Sequence, residues 1–481
     1  MKKGILILIL AFSFGCKKDA VQIRHQPELP VPDQWSASEV DDDEIRAEWW
    51  TAFEDERLDE LVGKALEHNY DLQSAAARLT VAAMQAKIAG ADLWPSISGG
   101  WRGSGQRQNF VGLPIPGAEG EVLSRTFTSS GISFDISWEA DIWGKIRARK
   151  FASTKDFEAA AADLWGARLS LVAQTSKAWF AVLEAQQQVE LAQTTVTSYS
   201  GTAERVRGRY ERGVQSSLDL RLALSSLAGA EALLQQRKEQ LDRLIRQLEL
   251  LLGQYPAAAI QPTEALPTVP PTPPAGIPSE LVSRRPDLIA AEKRMWAAGA
   301  RWSEARKALY PSIGLTGSLG TSTSSYLDVF NGSFFVWSLA GNILQPIFQG
   351  GRLRAQIELQ DANSRDVAAQ WAGAVLRAFL EVESALAAEK FLVKQEVELA
   401  DAATQSTASL KLAEDRYNMG LESFVTVLES QRRSLNAESQ LLTVRRQRLD
   451  ARVDLHLALG GGLQPEELKP KEEEAEKEKT S

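Results

Sequence analysis

Residues 132–141 read ISFDISWEAD, and apolar and polar side chains alternate through all ten positions. Such alternation places one set of side chains on each face of a β-strand. Ten alternating residues are typical of a strand in a membrane barrel, with lipid on one side and water on the other. A strand in a soluble sandwich is the alternative, although about five or six residues is the usual length there. One face would carry Ile132, Phe134, Ile136, Trp138 and Ala140, and the other Ser133, Asp135, Ser137, Glu139 and Asp141.

This strand belongs to a pattern that occurs twice in the chain. Residues 71–97 align with 287–313 at an offset of 216, and both segments end in Pro-Ser-Ile. Residues 143–149 align with 350–356 at an offset of 207, and RYERG at 209–213 falls on RYNMG at the same offset. Two motifs that share one offset argue against a chance similarity of alanine-rich helices. The sequence therefore predicts two structural repeats.

Each repeat has the same predicted order of elements. A helix ends at a proline, two β segments separated by a loop follow, and a very long helix, a turn and a second helix complete the repeat. A 64-residue helix would be ~96 Å long and needs partners along its length. The nine extra residues of the first repeat are expected in the loop 107–124. The predicted helices are 68–93, 145–208 and 217–252, then 286–309, 352–415 and 424–459, and the second repeat has a strand at 335–344.

The number of predicted strands indicates an oligomer. Each repeat supplies two strands, so one chain supplies four. The smallest closed membrane barrels have about eight strands. An open sheet edge cannot lie in lipid because its backbone groups would have no hydrogen-bond partners. Membrane strands in this chain therefore require more than one copy.

The only cysteine, Cys16, follows a short apolar run that begins after Lys2 and Lys3. This arrangement predicts an export signal over 1–15, too short to span a bilayer as a helix. The residues before the cysteine resemble a relaxed bacterial lipobox, in which the cysteine becomes the N-terminus and carries a lipid. An ordinary signal peptide that contains a cysteine is the alternative. The absence of aspartate after the cysteine favours the outer membrane among such lipoproteins.

Composition argues against several classes of function. The formal net charge of −9 argues against a nucleic-acid partner. His25, His68 and His456 are scattered, and no cysteine and histidine cluster has metal-ligand spacing. No glycine-rich phosphate loop and no nucleophile–base pair is indicated. We therefore expect no enzyme activity, no metal and no cofactor other than the covalent lipid on Cys16.

Several segments together resemble the TolC-like outer-membrane efflux family, and within it the lipoprotein branch that serves RND-type multidrug pumps. PVPDQW at 30–35 precedes a segment at 48–72 with Trp-Trp and Asn-Tyr-Asp-Leu, and SWEADIWGKIRAR at 137–149 resembles the end of the first barrel hairpin. The family usually has Leu where Ala140 stands. Residues 277–320, beginning IPSELVSRRPDLIAAE, are the most specific match. The resemblance covers nearly the whole mature chain.

The resemblance implies a mixed α+β fold that is mostly α. Three chains would form a 12-stranded outer-membrane β-barrel, four strands from each protomer, continuing into a long periplasmic α-helical barrel. The implied partners are two further copies, a periplasmic adaptor protein, an inner-membrane RND-type transporter and outer-membrane lipid. The implied function is that of the exit duct of a tripartite efflux pump, which conducts small molecules passively from the periplasm to the exterior.

The resemblance also implies a gate at the periplasmic tip, within residues 416–432. Val425 matches an apolar constriction residue, Glu429 the carboxylate of an acidic ring, and Arg432 its basic partner. Tyr417 matches a tyrosine that links neighbouring helices. The family usually has Asp where Glu429 stands, and Leu222 is its counterpart in the first repeat, so the ring would hold three carboxylates. Three such charges around a narrow axis attract cations. A solvated helical pair is the alternative for Glu429 and Arg432.

Asp135 and Asn342 hold matching positions in the two repeats and are candidates to line the barrel lumen, with ordinary solvated strand residues as the alternative. Prolines are frequent in the connector between the repeats, which indicates an extended segment. The predicted division is a signal peptide at 1–15, a lipidated N-terminal and equatorial segment at 16–67, repeat 1 at 68–253 with a hairpin at 95–143, a connector at 254–283, repeat 2 at 284–460 with a hairpin at 311–349, and a charged tail at 461–481.

Two other functions remain open from the sequence. The same type of duct could serve type I protein secretion or metal-ion efflux, because the transporter selects most of the cargo. A lipid-anchored periplasmic coiled-coil scaffold would need only the long helices, and the alternating strand 132–141 argues against it.

Overall fold

The computed structural model describes residues 25, 27–29, 31–32, 34–36, 48–111, 122–263 and 265–461. The chain divides into two compact units, each built from segments of both halves of the sequence. The strand unit comprises Met1–Pro27, Thr80–Ala159 and Glu292–Gln370, and the helix unit comprises Glu28–Leu79, Ala160–Ala291 and Trp371–Ser481.

The strand unit contains one antiparallel four-stranded sheet with the order β1-β2-β3-β4. Both hairpins pair neighbouring strands, and β2 joins them by pairing with β3. β1 and β4 therefore lie at the two edges. The strands are β1 (Ser96–Phe110), β2 (Leu123–Glu139), β3 (Ser312–Thr321) and β4 (Phe335–Leu344).

Two predictions about the first hairpin are wrong in their limits. The strand predicted at 132–141 is the second half of β2, whose first half lacks strict alternation. The loop predicted at 107–124 is too long, because the ladder continues until Phe110 pairs with Leu123. β1 and β2 have 15 and 17 residues, whereas β3 and β4 have 10 each, so the extra residues lengthen the strands.

Two helices precede β1. The second lies within the helix predicted at 68–93, and the first was not predicted. They are α1 (Glu56–His68) and α2 (Tyr70–Ala91), and Asn69 is extended between them. Asp55 begins α1, since its carboxylate accepts hydrogen bonds from the backbone N–H groups of the second and third helical residues, both at 3.0 Å.

The long helices agree with the sequence prediction to within three residues at each end. α3 (Lys145–Glu211) and α7 (Arg352–Asn418) each contain 67 residues. α4 (Ser217–Leu251) and α8 (Phe424–Ala458) each contain 35. Both members of each pair begin and end 207 positions apart, which is the offset found in the sequence.

Two further helices precede the second hairpin. They are α5 (Pro278–Arg284) and α6 (Pro286–Lys307). α6 starts where the helix 286–309 was predicted. The last residues of the connector predicted at 254–283 are helical, because α5 begins at Pro278. Proline is well tolerated at the first position of a helix, where its missing N–H group would have had no intrahelical partner.

The helix unit contains two junctions at which one helix ends against the start of another. At the first junction α4 meets α2, and at the second α8 meets α6. Gly253 has φ +69°, and a Cβ there would lie 2.4 Å from the carbonyl oxygen of His68. Gly460 has φ +90°, and a Cβ there would lie 3.0 Å from the carbonyl oxygen of Arg284. Both junctions therefore depend on glycine, for its backbone conformation and for the close approach.

The largest buried cluster of the helix unit lies around α1 and the middle of α3. The Trp179 indole N–H donates to the Asp55 carboxylate at 2.8 Å, which ties the start of α1 to α3. Burial of aromatic and aliphatic side chains on this scale supplies most of the stabilisation of such a unit. The fully buried large residues of this cluster are Trp49, Phe53, Leu58, Leu61, Trp179, Phe180, Leu183, Leu248, Leu252 and Leu449.

Candidate functional site

The sheet of the strand unit has one apolar and one polar face. Residues directly opposite each other in an antiparallel ladder share a face. Phe134 lies opposite Leu319, and Leu319 lies opposite Trp337. The apolar side chains are exposed in the single chain, with 72% of Trp337 and 76% of Leu339 accessible. A contiguous exposed apolar surface of this kind marks a contact with lipid or with another protein. Its exposed members are Ile97, Trp101, Phe134, Leu315, Leu319, Phe335, Trp337, Leu339 and Ile343.

Both predicted lumen residues lie on the polar face. Asp135 is opposite Ser318, which is itself opposite Ser338, and Asn342 follows four residues later on the same face. The Ser133 hydroxyl donates to the Asp135 carboxylate at 3.0 Å. This face offers hydrogen-bonding groups to water. The opposite face is apolar from Ile97 to Trp101 and along β3 and β4, and it carries polar side chains such as Arg107 and Thr126 only in the far half of the first hairpin.

The tip of the helix unit consists of two helix–turn–helix connections. We call residues 209–222 and 416–433 the tip. Ser216 begins α4 by accepting a hydrogen bond from the backbone N–H of Asp219 at 3.2 Å. Ser423 begins α8 in the same way, with the N–H of Thr426 at 3.3 Å. Serine at the position before a helix is a strong start signal, and its repetition gives the two turns matching geometry.

Tyr417 connects three helices at the tip. Its ring is buried, with 7% exposed, and its centroid lies 5.6 Å from that of Phe424 on α8. The Arg209 guanidinium of α3 lies 4.8 Å from the Tyr417 ring centroid, within the range of a cation–π contact. Burial raises the pKa of the Tyr417 hydroxyl, so the phenol stays neutral at ordinary pH. The structure thus brings the predicted tyrosine into contact with neighbouring helices.

Glu429 lies on the exposed surface of α8 beside two arginines. Arg432 donates two hydrogen bonds to one carboxylate oxygen, at 3.1 and 3.0 Å, and one to the other at 2.9 Å. Arg433 donates from the next position at 2.9 Å. These hydrogen bonds, chiefly that from Arg432, lower the pKa of Glu429 below its usual range. Arg433 is not among the residues predicted for the gate, although its i,i+4 spacing from Glu429 is a helical neighbour position.

Val425 lies one turn before Glu429 and is 57% exposed. Leu222, the counterpart of Glu429 in the first half, packs instead against the tip core around Tyr417. The carboxylate therefore has no charged counterpart at the matching position of α4. The exposed large apolar residues of the tip are Tyr210, Val214, Leu218, Met419, Leu421 and Val425.

Three sequence predictions concern residues outside the described part of the chain. These are the signal peptide 1–15, the lipid attachment at Cys16 and all but the first residue of the charged tail 461–481. Within the described ranges, no group of three or more His, Cys, Asp or Glu side chains is arranged to hold a metal ion. None of the described helices combines the length and the apolar composition needed to cross a bilayer.

A sheet with two different faces, followed by long helical hairpins, is typical of a subunit of an outer-membrane channel. Comparison with known proteins supports this class of protein. The family described as outer membrane efflux protein matches residues 61–254 and 277–461. The chain belongs to this family.

Relatives and solved structures agree with that assignment. The chain is 32% identical to outer membrane protein OprJ of Pseudomonas aeruginosa, over 95% of this chain and 96% of that protein. It is 31% identical to the pyoverdine export outer membrane protein OpmQ of Pseudomonas putida, over 86% and 88%. A crystal structure of a membrane protein from Pseudomonas aeruginosa superposes with a TM-score of 0.83 at 32% identity, over 92% of this chain and all of that chain.

Proposed function

We propose that this chain is the exit duct of a tripartite efflux pump in the outer membrane. It conducts small molecules passively from a periplasmic adaptor and an inner-membrane RND-type transporter to the exterior. The observation that carries the proposal is the sheet, with one exposed apolar face, one polar face and two unpaired edges. Membership of the outer membrane efflux family supports the same role.

The sheet edges argue for assembly into a closed barrel. β1 pairs only with β2, and β4 pairs only with β3. All ten residues of β4 are exposed in the single chain. In lipid, the free backbone groups of these edges would each cost several kcal/mol, about 2–7 for an unpaired amide. Pairing β1 of one copy with β4 of the next removes both edges. We infer a homotrimer, because three copies supply the twelve strands expected in this family.

The proposed duct has an apolar outside and a polar inside. Trp337 and Leu339 would contact lipid, and Asp135 and Asn342 would line the barrel lumen. At the tip, Val425 and Glu429 are proposed to form the constriction, one turn apart on α8. Arg432 is proposed to pair with the Glu429 carboxylate.

Three further parts of the proposal concern attachment, helix contacts and catalysis. Tyr417 is proposed to hold the helices of the tip together. Cys16 is proposed to carry the N-terminal lipid. The duct is proposed to have no catalytic activity of its own.

Two relatives are named for small-molecule cargo. OpmQ of Pseudomonas putida is named for the export of pyoverdine. A relative of 30% identity is named as a toluene efflux pump outer membrane protein. We propose drugs and other small molecules as the cargo class of the pump that this duct serves.

A planar bilayer recording with purified, detergent-solubilised protein tests the proposal. The oligomeric state of the same sample is measured first by light scattering with detergent correction. We expect a trimer that inserts into the bilayer and gives discrete, cation-preferring current steps. A folded oligomer that inserts and never conducts would contradict the duct and favour a scaffold. A stable monomer would contradict the barrel.

A further inference from the structure

The first hairpin of the strand unit is longer than the second, and its extra length lies at the turn end. β3 and β4 have 10 residues each, about the length that a tilted strand needs to cross a bilayer. Among the described residues, the bridge between Ser130 and Thr323 is the last pairing of β2 with the second hairpin. β1 and β2 stay paired with each other beyond that bridge. We call residues 102–110 and 123–131 the arm, a two-stranded ribbon ~27 Å long at ~3.4 Å per residue.

The arm has polar side chains on both faces, unlike the rest of the sheet. On the face that is apolar up to Trp101, the arm carries Arg107 opposite Thr126. The Arg107 guanidinium donates to the Ser124 hydroxyl of the same face at 2.8 Å. Strand residues that contact lipid are apolar, so this part of the hairpin lies beyond the apolar band. β1 follows α2 and β2 precedes α3, so the arm is at the end of the strands away from the helices. In the proposed duct, that end is the exterior one.

The charges of the arm have one sign. Its sequence contains Arg102, Arg107 and Arg125 and no aspartate or glutamate. The ladder register places Arg102 and Arg125 on the polar face with Asp135, and Arg107 on the other face. Both arginines of the polar face are exposed. Among the described residues, no carboxylate forms an ion pair with either of them. The Arg125 guanidinium lies 5.2 Å from the ring centroid of Phe127 on the same face.

Arginine side chains on a lumen face are suited to anions. A guanidinium stays charged at every physiological pH and binds carboxylate and phosphate groups through two parallel hydrogen bonds. Three copies of the chain would bring six such groups from Arg102 and Arg125 to the exterior end of the lumen. Charges of one sign around an opening raise the local concentration of ions of the opposite sign. Glu119 and Glu121 belong to the connecting loop 112–121, outside the described residues, so the field is measured at the arginines themselves.

We propose that Arg102 and Arg125 form a cationic outer mouth that attracts anionic molecules with carboxylate or phosphate groups as they leave the duct. The inference rests on the proposed duct function, because that function places the polar face in the lumen. The outer mouth is opposite in sign to the acidic constriction proposed for Glu429 at the tip. An anionic molecule that has passed the tip is drawn toward the exterior end. The duct thereby adds a preference of its own to the selection made by the transporter.

The first test measures the concentration of a small anion at the polar face of the arm. Phe127→Trp places a fluorescent reporter beside Arg125 and keeps an aromatic partner for the guanidinium. Iodide quenching of this reporter is measured on the assembled protein at about 0.15 M ionic strength, where the screening length is about 8 Å. Quenching by neutral acrylamide corrects for accessibility, and the corresponding protein without the reporter gives the signal of the native tryptophans.

Replacing both arginines of the polar face, by Arg102→Gln and Arg125→Gln, is expected to lower the iodide quenching constant of the reporter about twofold. The control is Arg107→Gln, which removes the same charge from the other face of the arm. We expect this control to leave the quenching constant unchanged, because its charge is separated from the reporter by the ribbon and is screened by salt.

The second test measures currents in phosphatidylcholine bilayers. None of the described helices can cross a bilayer, so protein added to one chamber leaves the outer mouth facing the other chamber. At about 0.01 M potassium chloride the screening length is about 30 Å, and at 1 M it is about 3 Å. Removing Arg102 and Arg125 is expected to raise the cation current that enters through the outer mouth about twofold at the low concentration only. Arg107→Gln is expected to behave as wild type.

The outcomes separate this inference from the duct function. A wild-type oligomer that never conducts would overturn the duct, and iodide quenching would still decide whether the arginine face attracts anions. A conducting wild type whose quenching is unchanged by loss of Arg102 and Arg125 would overturn the cationic mouth alone. An equal decrease in Arg107→Gln would also overturn it, because the charge of the whole arm would then be responsible. Should Phe127→Trp fail to assemble, the currents at low salt decide.

Discussion

The indole of Trp49 lies flat against the imidazole of His456, with ring centroids 4.9 Å apart and planes inclined by 13°. The stack fixes the segment before α1 to the last turn of α8. His456 is only 6% exposed. Burial lowers the pKa of His456 to about 4, and the nearby Arg452 acts in the same direction. The imidazole is therefore neutral in the folded protein at neutral pH.

This shift makes stability depend on pH. In the unfolded chain the pKa of His456 returns to its ordinary 6.5. Between pH 6.5 and about pH 4, the unfolded chain therefore binds a proton at His456 that the folded chain does not bind. The contribution of the neutral His456 to the free energy of unfolding is fully present above pH 6.5. It is lost as pH falls toward 4, and the loss is about 3 kcal/mol at most. His456→Phe keeps an aromatic partner for Trp49 without the titration. We expect the variant to lose less stability than the wild type between pH 7 and pH 4.5, and thermal unfolding at both pH values measures the loss. Parallel losses would contradict this assignment.

We expect Gly253→Ala to lower the free energy of unfolding by more than the same substitution at a left-handed glycine that has open space around it. Gly213, in the turn between α3 and α4, has a similar φ of +74°, but nothing lies within 4 Å of a Cβ there. Gly213→Ala is expected to cost about 1 kcal/mol of unfolding free energy from backbone strain alone. Gly253→Ala adds a clash with the His68 carbonyl and is expected to cost about 3 kcal/mol. Chemical denaturation measures the free energy of unfolding of both variants. Equal losses would contradict this prediction, because they would show that the clash with the His68 carbonyl adds nothing to the backbone strain.

Neighbouring residues on β4 test the two faces of the sheet. Leu339 lies on the apolar face and Ser338 on the polar face. Leu339→Arg places a charge toward lipid and is expected to cost about 2–4 kcal/mol near the middle of the bilayer. Ser338→Arg places the same charge in the lumen and is expected to insert normally. The yield of heat-resistant oligomer in the outer-membrane fraction measures insertion. Equal yields for both variants would contradict the assignment of the faces.

The sequence predicted the long helices well because their signals are local and repeated. Two unrelated stretches share the 207 offset, and the Gly-containing turns with Ser216 and Ser423 stop and restart each helix. The strand limits were predicted less well. Only the second half of β2 alternates strictly, and pairing with β1 holds the first half in the ladder despite its irregular pattern. The sequence of β2 alone does not show that β1 pairs with its first half.

The contacts at the candidate sites were only partly predictable. Glu429 and Arg432 are three residues apart, so their pairing follows from helix geometry. The contact of Arg209 with Tyr417 joins residues 208 positions apart. Such contacts depend on how helices pack, which no local pattern in this chain specifies.

Glu429→Gln tests whether this carboxylate sets the ion preference of the duct. Hydrogen bonds from Arg432 and Arg433 lower the pKa of Glu429, so the carboxylate stays ionised in mildly acidic solution. Wild-type cation preference should therefore be the same at pH 7.5 and pH 5.5. We expect Glu429→Gln to reduce the cation-to-anion permeability ratio roughly twofold or more, because the proposed trimer would lose three negative charges from its narrow pore. Reversal potentials in a potassium chloride gradient measure the ratio.

Glu422→Gln is the matched control, because Glu422 is also an ionised tip carboxylate and pairs with Arg416 at 3.7 Å. If ion preference came from the summed charge of the tip, both variants would lower the permeability ratio equally. A pore-lining Glu429 requires a larger effect from Glu429→Gln than from Glu422→Gln. An unchanged ratio in Glu429→Gln, with normal conductance, would place this carboxylate away from the ion path and leave it as a solvated partner of Arg432 and Arg433.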